Sequence, residues 1–287
     1  MKSHNQILAA AILALVGNSG YATNVTVPAG GNIQSAINTV SASGGGTVIL
    51  DSGTWTITSA LTLPSNVVLD GAGTPATTLS TSDAINVIEE STNGISNVTV
   101  ENLKVSGSGS SGSTNCQGVF IASTGTNNTS INVSNVQSTS FGGQAAELKR
   151  CNSSSVSSCN FHDSGATYYC HGLYVYQSTS VTVTGTSLTN SPHGTGFHLN
   201  GITNSVSISG STCSGNGQDG MDLQGTPTSC TVNGDTCDNN TNVADGGYGI
   251  NAQVNATSSK VENCTATGNA VANYNITGSG WTQSNNH

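Results

Sequence analysis

A short phrase recurs along the middle of this chain, and its period limits the fold more than any other feature. It reads Gly118-Val119-Phe120-Ile121, Ala145-Ala146-Glu147-Leu148, Gly172-Leu173-Tyr174-Val175, Gly196-Phe197-His198-Leu199, Gly220-Met221-Asp222-Leu223 and Gly249-Ile250-Asn251-Ala252, at spacings of 27, 27, 24, 24 and 29 residues. A small residue opens each phrase, and apolar and polar residues then alternate. Alternation at period two describes a strand with one buried face. A second phrase shares the period: Val98-Thr99-Val100, Ile131-Asn132-Val133, Val181-Thr182-Val183, Val206-Ser207-Ile208 and Cys230-Thr231-Val232. Two short strands per ~25-residue unit, separated by Gly, Ser and Asn turns, leave no room for a helix of ordinary length. The pattern predicts an all-β solenoid of parallel strands stacked coil on coil.

The N-terminal part carries a more specific signal. Ile33-Gln34-Ser35-Ala36-Ile37 is followed by Gly44-Gly45-Gly46-Thr47-Val48-Ile49-Leu50, then Gly53-Thr54-Trp55, then Leu63-Pro64-Ser65-Asn66-Val67-Val68-Leu69-Asp70-Gly71. With these residues the chain resembles the right-handed parallel β-helix enzymes of the pectate lyase superfamily. The resemblance implies a single-stranded right-handed parallel β-helix with a short N-terminal capping helix and an active groove on one parallel sheet. The helix is expected over Asn32 to Val40, where Ile33, Ala36, Ile37 and Val40 share a face and Asn32 is placed to cap. Covering the open end of the first coil is its expected role.

Met1 to Ala22 reads as a secretory signal peptide: Lys2 at the start, an apolar run from Ile7 to Val16, then Gly20-Tyr21-Ala22 at the cleavage position. That run is too short to span a bilayer. Residues 23–287 are expected to form one β-helix domain, secreted, monomeric and independent of membranes. The net charge is −9, and Lys104, Lys149, Arg150 and Lys260 are the cations after the leader. No basic stripe exists to neutralise phosphates, so nucleic acid is excluded as a partner class. Eight cysteines suit an oxidising compartment. Cys213 and Cys237 follow the second phrase on consecutive coils, and strands ~4.8 Å apart suggest a disulfide between them. Glu89-Glu90 reads as a solvated doublet, Gly107 to Asn115 as a loop insertion, and Gly278 to His287 as a polar, frayed tail.

Alternation sends Leu173, Val175, Phe197, Leu199, Met221 and Leu223 inward, so the residues between them face out. Stacking turns these into columns. The first reads Phe120, Glu147, Tyr174, His198, Asp222, Asn251; the second Ala122, Lys149, Tyr176, Asn200, Gln224, Gln253. A third, before the small residue, reads Gln117, Gln144, His171, Thr195, Asp219, Tyr248. Elsewhere the outward positions are Ser, Thr and Asn, so this concentration of reactive groups marks the site. His198 is the candidate base, Tyr174 the candidate acid, Asp222 the group that orients His198, and Lys149 a group that neutralises a substrate carboxylate. Glu147, Arg150, His171, Tyr176, His193, Asn200, Asp219, Gln224, Tyr248 and Asn251 are candidate substrate-binding residues. No cofactor is required by this set, although Asp219 with Glu147 offers oxygens for Ca²⁺.

These parts suit removal of the C5 proton of a uronic acid, the first step of both β-elimination and C5-epimerisation. The leading expectation is a polysaccharide lyase acting on an acidic polymer, alginate or pectin-like. Ser191-Pro192-His193-Gly194 resembles the Asp-Pro-His motif of mannuronan C5-epimerases, with Ser191 where the motif has Asp. Asp219-Gly220-Met221-Asp222 resembles the Asn-Thr-Asp-Gly-Ile-Asp signature of polygalacturonases, without the double Asp and Gly-His-Gly that follow there. An epimerase, a glycoside hydrolase and a non-catalytic adhesin or ice-binding solenoid are therefore the alternatives.

Overall fold

The computed structural model describes residues 22–109, 116–165, 170–241 and 246–287. The leader lies outside them except for Ala22, as do residues 110–115 of the Gly/Ser insertion. The described chain winds as a parallel β-solenoid. One wall is a nine-stranded sheet whose strands follow chain order: Leu61–Leu63, Ile88–Glu90, Val119–Ala122, Ala146–Lys149, Leu173–Tyr176, Phe197–Asn200, Met221–Leu223, Tyr248–Ala252 and Ala272–Ile276. Seventeen further strands build the remaining walls. The second phrase lies there, for example as Thr179–Thr184 beside Cys151–Ser157.

Register follows the sequence repeat. Glu147 pairs with Tyr174, Tyr174 with His198, His198 with Asp222, and Asp222 with Asn251. Lys149 pairs with Tyr176 and Tyr176 with Asn200 in the second column. The longer spacing before Gly249 leaves this register unshifted. The alternate residues fill one continuous core, in which Leu173, Val175, Phe197, Leu199, Met221 and Leu223 are at most 1% exposed. Such a column removes nearly all of each apolar side chain from water, roughly 1.5–3 kcal/mol for each.

The predicted helix spans Ile33–Ala42, two residues beyond the expected end. Asn32 caps it by accepting the Ser35 N–H at 2.9 Å, and Ile33, Ala36, Ile37 and Val40 are its buried face. The C-terminal segment differs from expectation. Instead of fraying, Trp281–Ser284 adds a parallel strand beside Ser259–Glu262. The Trp281 indole N–H donates to the Val254 carbonyl at 3.0 Å, and Asn285 Nδ2 bonds Asn263 Oδ1 at 3.1 Å. These side chains anchor the tail.

The expected Cys213–Cys237 disulfide is absent. Both residues do stack on consecutive coils and both are buried, but as free thiols. In-register parallel strands hold neighbouring Cβ atoms nearly a full strand spacing apart, ~4.8 Å, with parallel Cα–Cβ vectors; a disulfide wants roughly 3.8 Å. Among the described residues no helix is long and apolar enough to cross a membrane.

Candidate functional site

The small residue that opens each phrase, a glycine in five of the six, is where the chain turns onto the groove sheet, and it lets adjacent coils approach closely. A Cβ on Gly196 would sit 2.8 Å from the Gly220 carbonyl and 2.7 Å from Asn216 Nδ2. Because of this turn, the residue before the glycine reaches across to the outward column of the next coil. Gln117 Nε2 donates to Glu147 Oε2 at 3.1 Å, and Asn251 Nδ2 donates to Asp219 Oδ2 at 3.0 Å. The His171 and His198 rings stack at 4.3 Å and 8° by the same diagonal step.

The last two of these diagonals border a pocket of about 410 Å³, lined by His171, Tyr174, His198, Asn200, Gln218, Asp219, Asp222, Gln224, Asn251 and Gln253. A second hollow of about 380 Å³ lies between the helix N-terminus and Trp55 and contains no ionisable side chain. Eight of the fourteen sequence-predicted site residues therefore converge on one pocket. Glu147, Lys149, Arg150, Tyr176, His193 and Tyr248 do not line it.

Within the pocket, the Tyr174 ring centroid is 5.0 Å from that of His198 and 5.6 Å from that of His171. Burial, with the Glu147 and Tyr176 charges as smaller causes, pushes the Tyr174 phenol up to about 12, although a hydrogen bond with Asn200 opposes this. The phenol is thus protonated throughout the neutral range and can serve as a proton donor. His171 accepts the Thr195 N–H on Nδ1 at 3.2 Å, which leaves its own proton on Nε2. Burial, then the neighbouring His198, holds His171 well below the ordinary histidine value, so it is a neutral ring. His198 Nδ1 lies 3.2 Å from Asp222 Oδ2, but off the line of a hydrogen bond. The Asp222 carboxylate faces this ring nitrogen. It favours the tautomer with the proton on Nδ1 and frees Nε2 to accept.

Asp222 is itself held. Gln224 Nε2 donates to Oδ2 at 2.7 Å and Asn251 Nδ2 reaches Oδ1 at 3.3 Å. Asn251 in turn accepts from Gln253 and Asn275, each at 3.0 Å. Asp219 accepts the Tyr248 backbone N–H at 2.9 Å, and burial pushes its carboxyl up to about 6. Tyr248 thus contributes its backbone to this network. Gln218, on the pocket wall, was missed by sequence reasoning, since the residue two before the phrase glycine carries no strand alternation. Gln253, the last member of the second column, is a further lining residue absent from the predicted site set.

The predicted residues outside the pocket have other partners. Lys149 Nζ sits 5.5 Å over the ring of Tyr176 on the next coil, three coils before Gln224. Arg150 occupies a left-handed turn, φ 54°, and donates to the Gly125 carbonyl at 3.1 Å. His193 lies in the turn before Phe197–Asn200, its N–H on the Gly165 carbonyl. His162 is on another wall with Asp163 and Gln137. Glu89 and Glu90 are half-buried rather than solvated: Asn86 bonds Glu89, and Glu90 accepts the Ala122 N–H. Glu147 and Asp219 lie on coils three apart, ~14 Å by strand spacing, so they do not converge on one Ca²⁺. Among the described residues no three His, Cys, Asp or Glu side chains are placed to hold a metal ion.

Comparison with known proteins bears on the fold. A family model described as "Right handed beta helix region" matches residues 117–287. No curated protein sequence matches the chain. Among solved structures, the A-module of a mannuronan C-5 epimerase from Azotobacter vinelandii is 16% identical, with 88% of this chain and 89% of that one covered at a TM-score of 0.50. Pectate lyase Pel9A is 14% identical over 91% of this chain and 68% of its own, at 0.54. The surface adhesin PfbA of Streptococcus pneumoniae is 12% identical over 82% and 67%, at 0.64. At such identities the likeness is one of fold.

Proposed function

The chain belongs to the right-handed β-helix family, with the fold of the pectate lyase superfamily, and from that premise we propose that it is a secreted polysaccharide lyase that cleaves a uronic-acid-containing polymer by β-elimination. The observation that carries this reading is the pair Tyr174 and His198, 5.0 Å apart on adjacent coils, with Asp222 behind the imidazole. His198 Nε2 takes the C5 proton, and the C–H electron pair is delocalised into the substrate carboxylate. The C4–C5 double bond then forms as the C4–O4 bond breaks. Tyr174 gives its phenolic proton to O4 of the leaving sugar. Asn200, which bonds Tyr174, and Gln224 supply the amide N–H groups that polarise the carboxylate. Lys149, leaning on Tyr176, binds a sugar farther along the groove.

Base and acid both rise from the sheet side of the groove. Epimerisation needs a proton returned from the opposite face of the sugar ring, so this arrangement favours elimination. A second reading has its own observation: Asn251 bridges the carboxylates of Asp219 and Asp222, and Asp219 is pushed up to about 6. A raised acid beside a second carboxylate is also the equipment of a glycoside hydrolase.

The test is ultraviolet absorbance of unsaturated uronate ends on alginate, polygalacturonate and glucuronate polymers. Wild type should produce it. His198→Ala should lower the rate about 10³-fold and Tyr174→Phe about 10²-fold. New reducing ends without unsaturation, abolished by Asp219→Asn, would establish the hydrolase instead.

A further inference from the structure

Two imidazoles lie face to face in the pocket, and they are not equivalent. The His171 and His198 rings stack at 4.3 Å and 8°, and both side chains are buried. Each turns its Nδ1 toward the following coil. His171 accepts the Thr195 N–H there at 3.2 Å, and His198 Nδ1 lies 3.2 Å from Asp222 Oδ2. Rings so close to parallel, with their Nδ1 edges turned the same way, carry their Nε2 edges on one side of the stack. Both rings line the pocket, with the Tyr174 ring 5.6 Å from His171 and 5.0 Å from His198.

The neighbours of the two Nδ1 atoms decide what each Nε2 can do. A backbone N–H only donates, so His171 Nδ1 stays bare and the proton of that ring is on Nε2. A carboxylate only accepts, so Asp222 draws the proton of His198 to Nδ1 and leaves a lone pair on its Nε2. The stack therefore presents one donor and one acceptor. It also has room for one charge, because two imidazolium rings in contact, shielded from water, repel strongly. Burial, then the neighbouring His198, keeps His171 the neutral member. A neutral imidazole N–H beside a general base is equipped to hold an oxygen on which negative charge develops.

We infer that His171 is a catalytic residue of this site: its Nε2–H donates to a carboxylate oxygen of the same uronate whose C5 proton goes to His198. This role rests on the C5-proton reading of the pocket. As His198 Nε2 takes the proton, the C5–H electron pair moves into the carboxylate, and charge builds on the oxygen that His171 holds. The pair then returns to form the C4–C5 double bond while the C4–O4 bond breaks and Tyr174 protonates O4. His171 keeps its own proton throughout. Asn200 and Gln224 are left to the other carboxylate oxygen.

Two variants separate the two edges of the ring. In His171→Asn the amide oxygen can stand near the place of Nδ1 and keep the Thr195 bond, while the Nε2 donor is lost. In His171→Gln an amide N–H reaches the place of Nε2. On whichever polymer the wild type cleaves, His171→Asn should melt as the wild type does and lower kcat about 10²-fold with little change in KM, and His171→Gln should recover at least about tenfold of that loss. A folded His171→Asn whose kcat stays within about threefold of wild type overturns the inference. Nitrogen NMR of the histidine rings in the full chain reads the same role without turnover. His171 should hold its proton on Nε2 from about pH 5 to about pH 8. Methyl glycosides of galacturonate, mannuronate or glucuronate, which carry no leaving sugar at O4, should shift that N–H resonance, and methyl glucoside should not. A His171 proton found on Nδ1, or an Nε2–H that no uronoside moves, overturns the inference. A uronoside-specific shift in a protein that cleaves no polymer counts against elimination and leaves the carboxylate contact standing.

Discussion

Asp222 shows how much of the site depends on single atoms. Its Oδ2 faces His198 Nδ1 and is pinned by Gln224, so it fixes which imidazole nitrogen is free. Asp222→Asn keeps the shape and removes the charge. It should lower kcat at least about 10²-fold with little change in KM, measured on whichever polymer the wild type cleaves. This column could be read in the sequence because strand alternation and a fixed repeat decide which residues stack. Glu147, Tyr174, His198, Asp222 and Asn251 needed no more than that. The diagonal contacts could not be read. His171 against His198, and Asp219 against Asn251, depend on how sharply the backbone bends at the phrase glycine. The lean of Lys149, the expected partner of a substrate carboxylate, over the Tyr176 ring was equally beyond the strand pattern.

At the scale of the coil, the same glycine is a packing constraint. Gly196 lies under the Gly220 carbonyl, so Gly196→Ala must push the Phe197–Asn200 strand away from its neighbour. A loss of ~1–3 kcal/mol in urea unfolding is expected, with a larger loss of activity because His198 rides on that strand. Gly and Ala both open phrases in the sequence, which made the position read as small; that one methyl is too many at Gly196 emerges only from the neighbouring carbonyl. The cysteines belong to this scale as well. Their adjacency followed from the repeat, but their bonding depends on parallel Cα–Cβ vectors. Under non-reducing denaturation Cys213 and Cys237 should both take an alkylating reagent. Peptide mapping that finds them joined would refute that.

For the molecule as a whole, the family fixes the architecture and leaves the chemistry to the groove, since the same coil serves an epimerase, a lyase and an adhesin. Among the described residues of the C-terminal coils, burial raises two carboxyls, those of Asp219 and Asp235, above their ordinary ionisation. Asp219 is raised to about 6 by burial. Asp235, 1% exposed, accepts the Ser211 N–H at 2.7 Å and the Asn233 N–H at 3.1 Å, and burial raises it to about 7. A carboxyl raised by folding binds its proton more tightly in the native chain than in the unfolded one. The stability it contributes is therefore fully present below about pH 4, the unfolded value, and is lost as pH rises through about 6 for Asp219 and about 7 for Asp235. The unfolding temperature should fall between about pH 4 and about pH 7, opposite to the usual trend for paired surface carboxylates. Asp219→Asn should flatten the lower part of that fall and leave the part near Asp235 in place. A profile that rises across the interval, or one indifferent to Asp219→Asn, would mean that the network around Asn251 and Tyr248 stabilises the charged carboxylate more than burial penalises it. Asp219 would then be an anion at all working pH values, and the hydrolase reading would lose its acid.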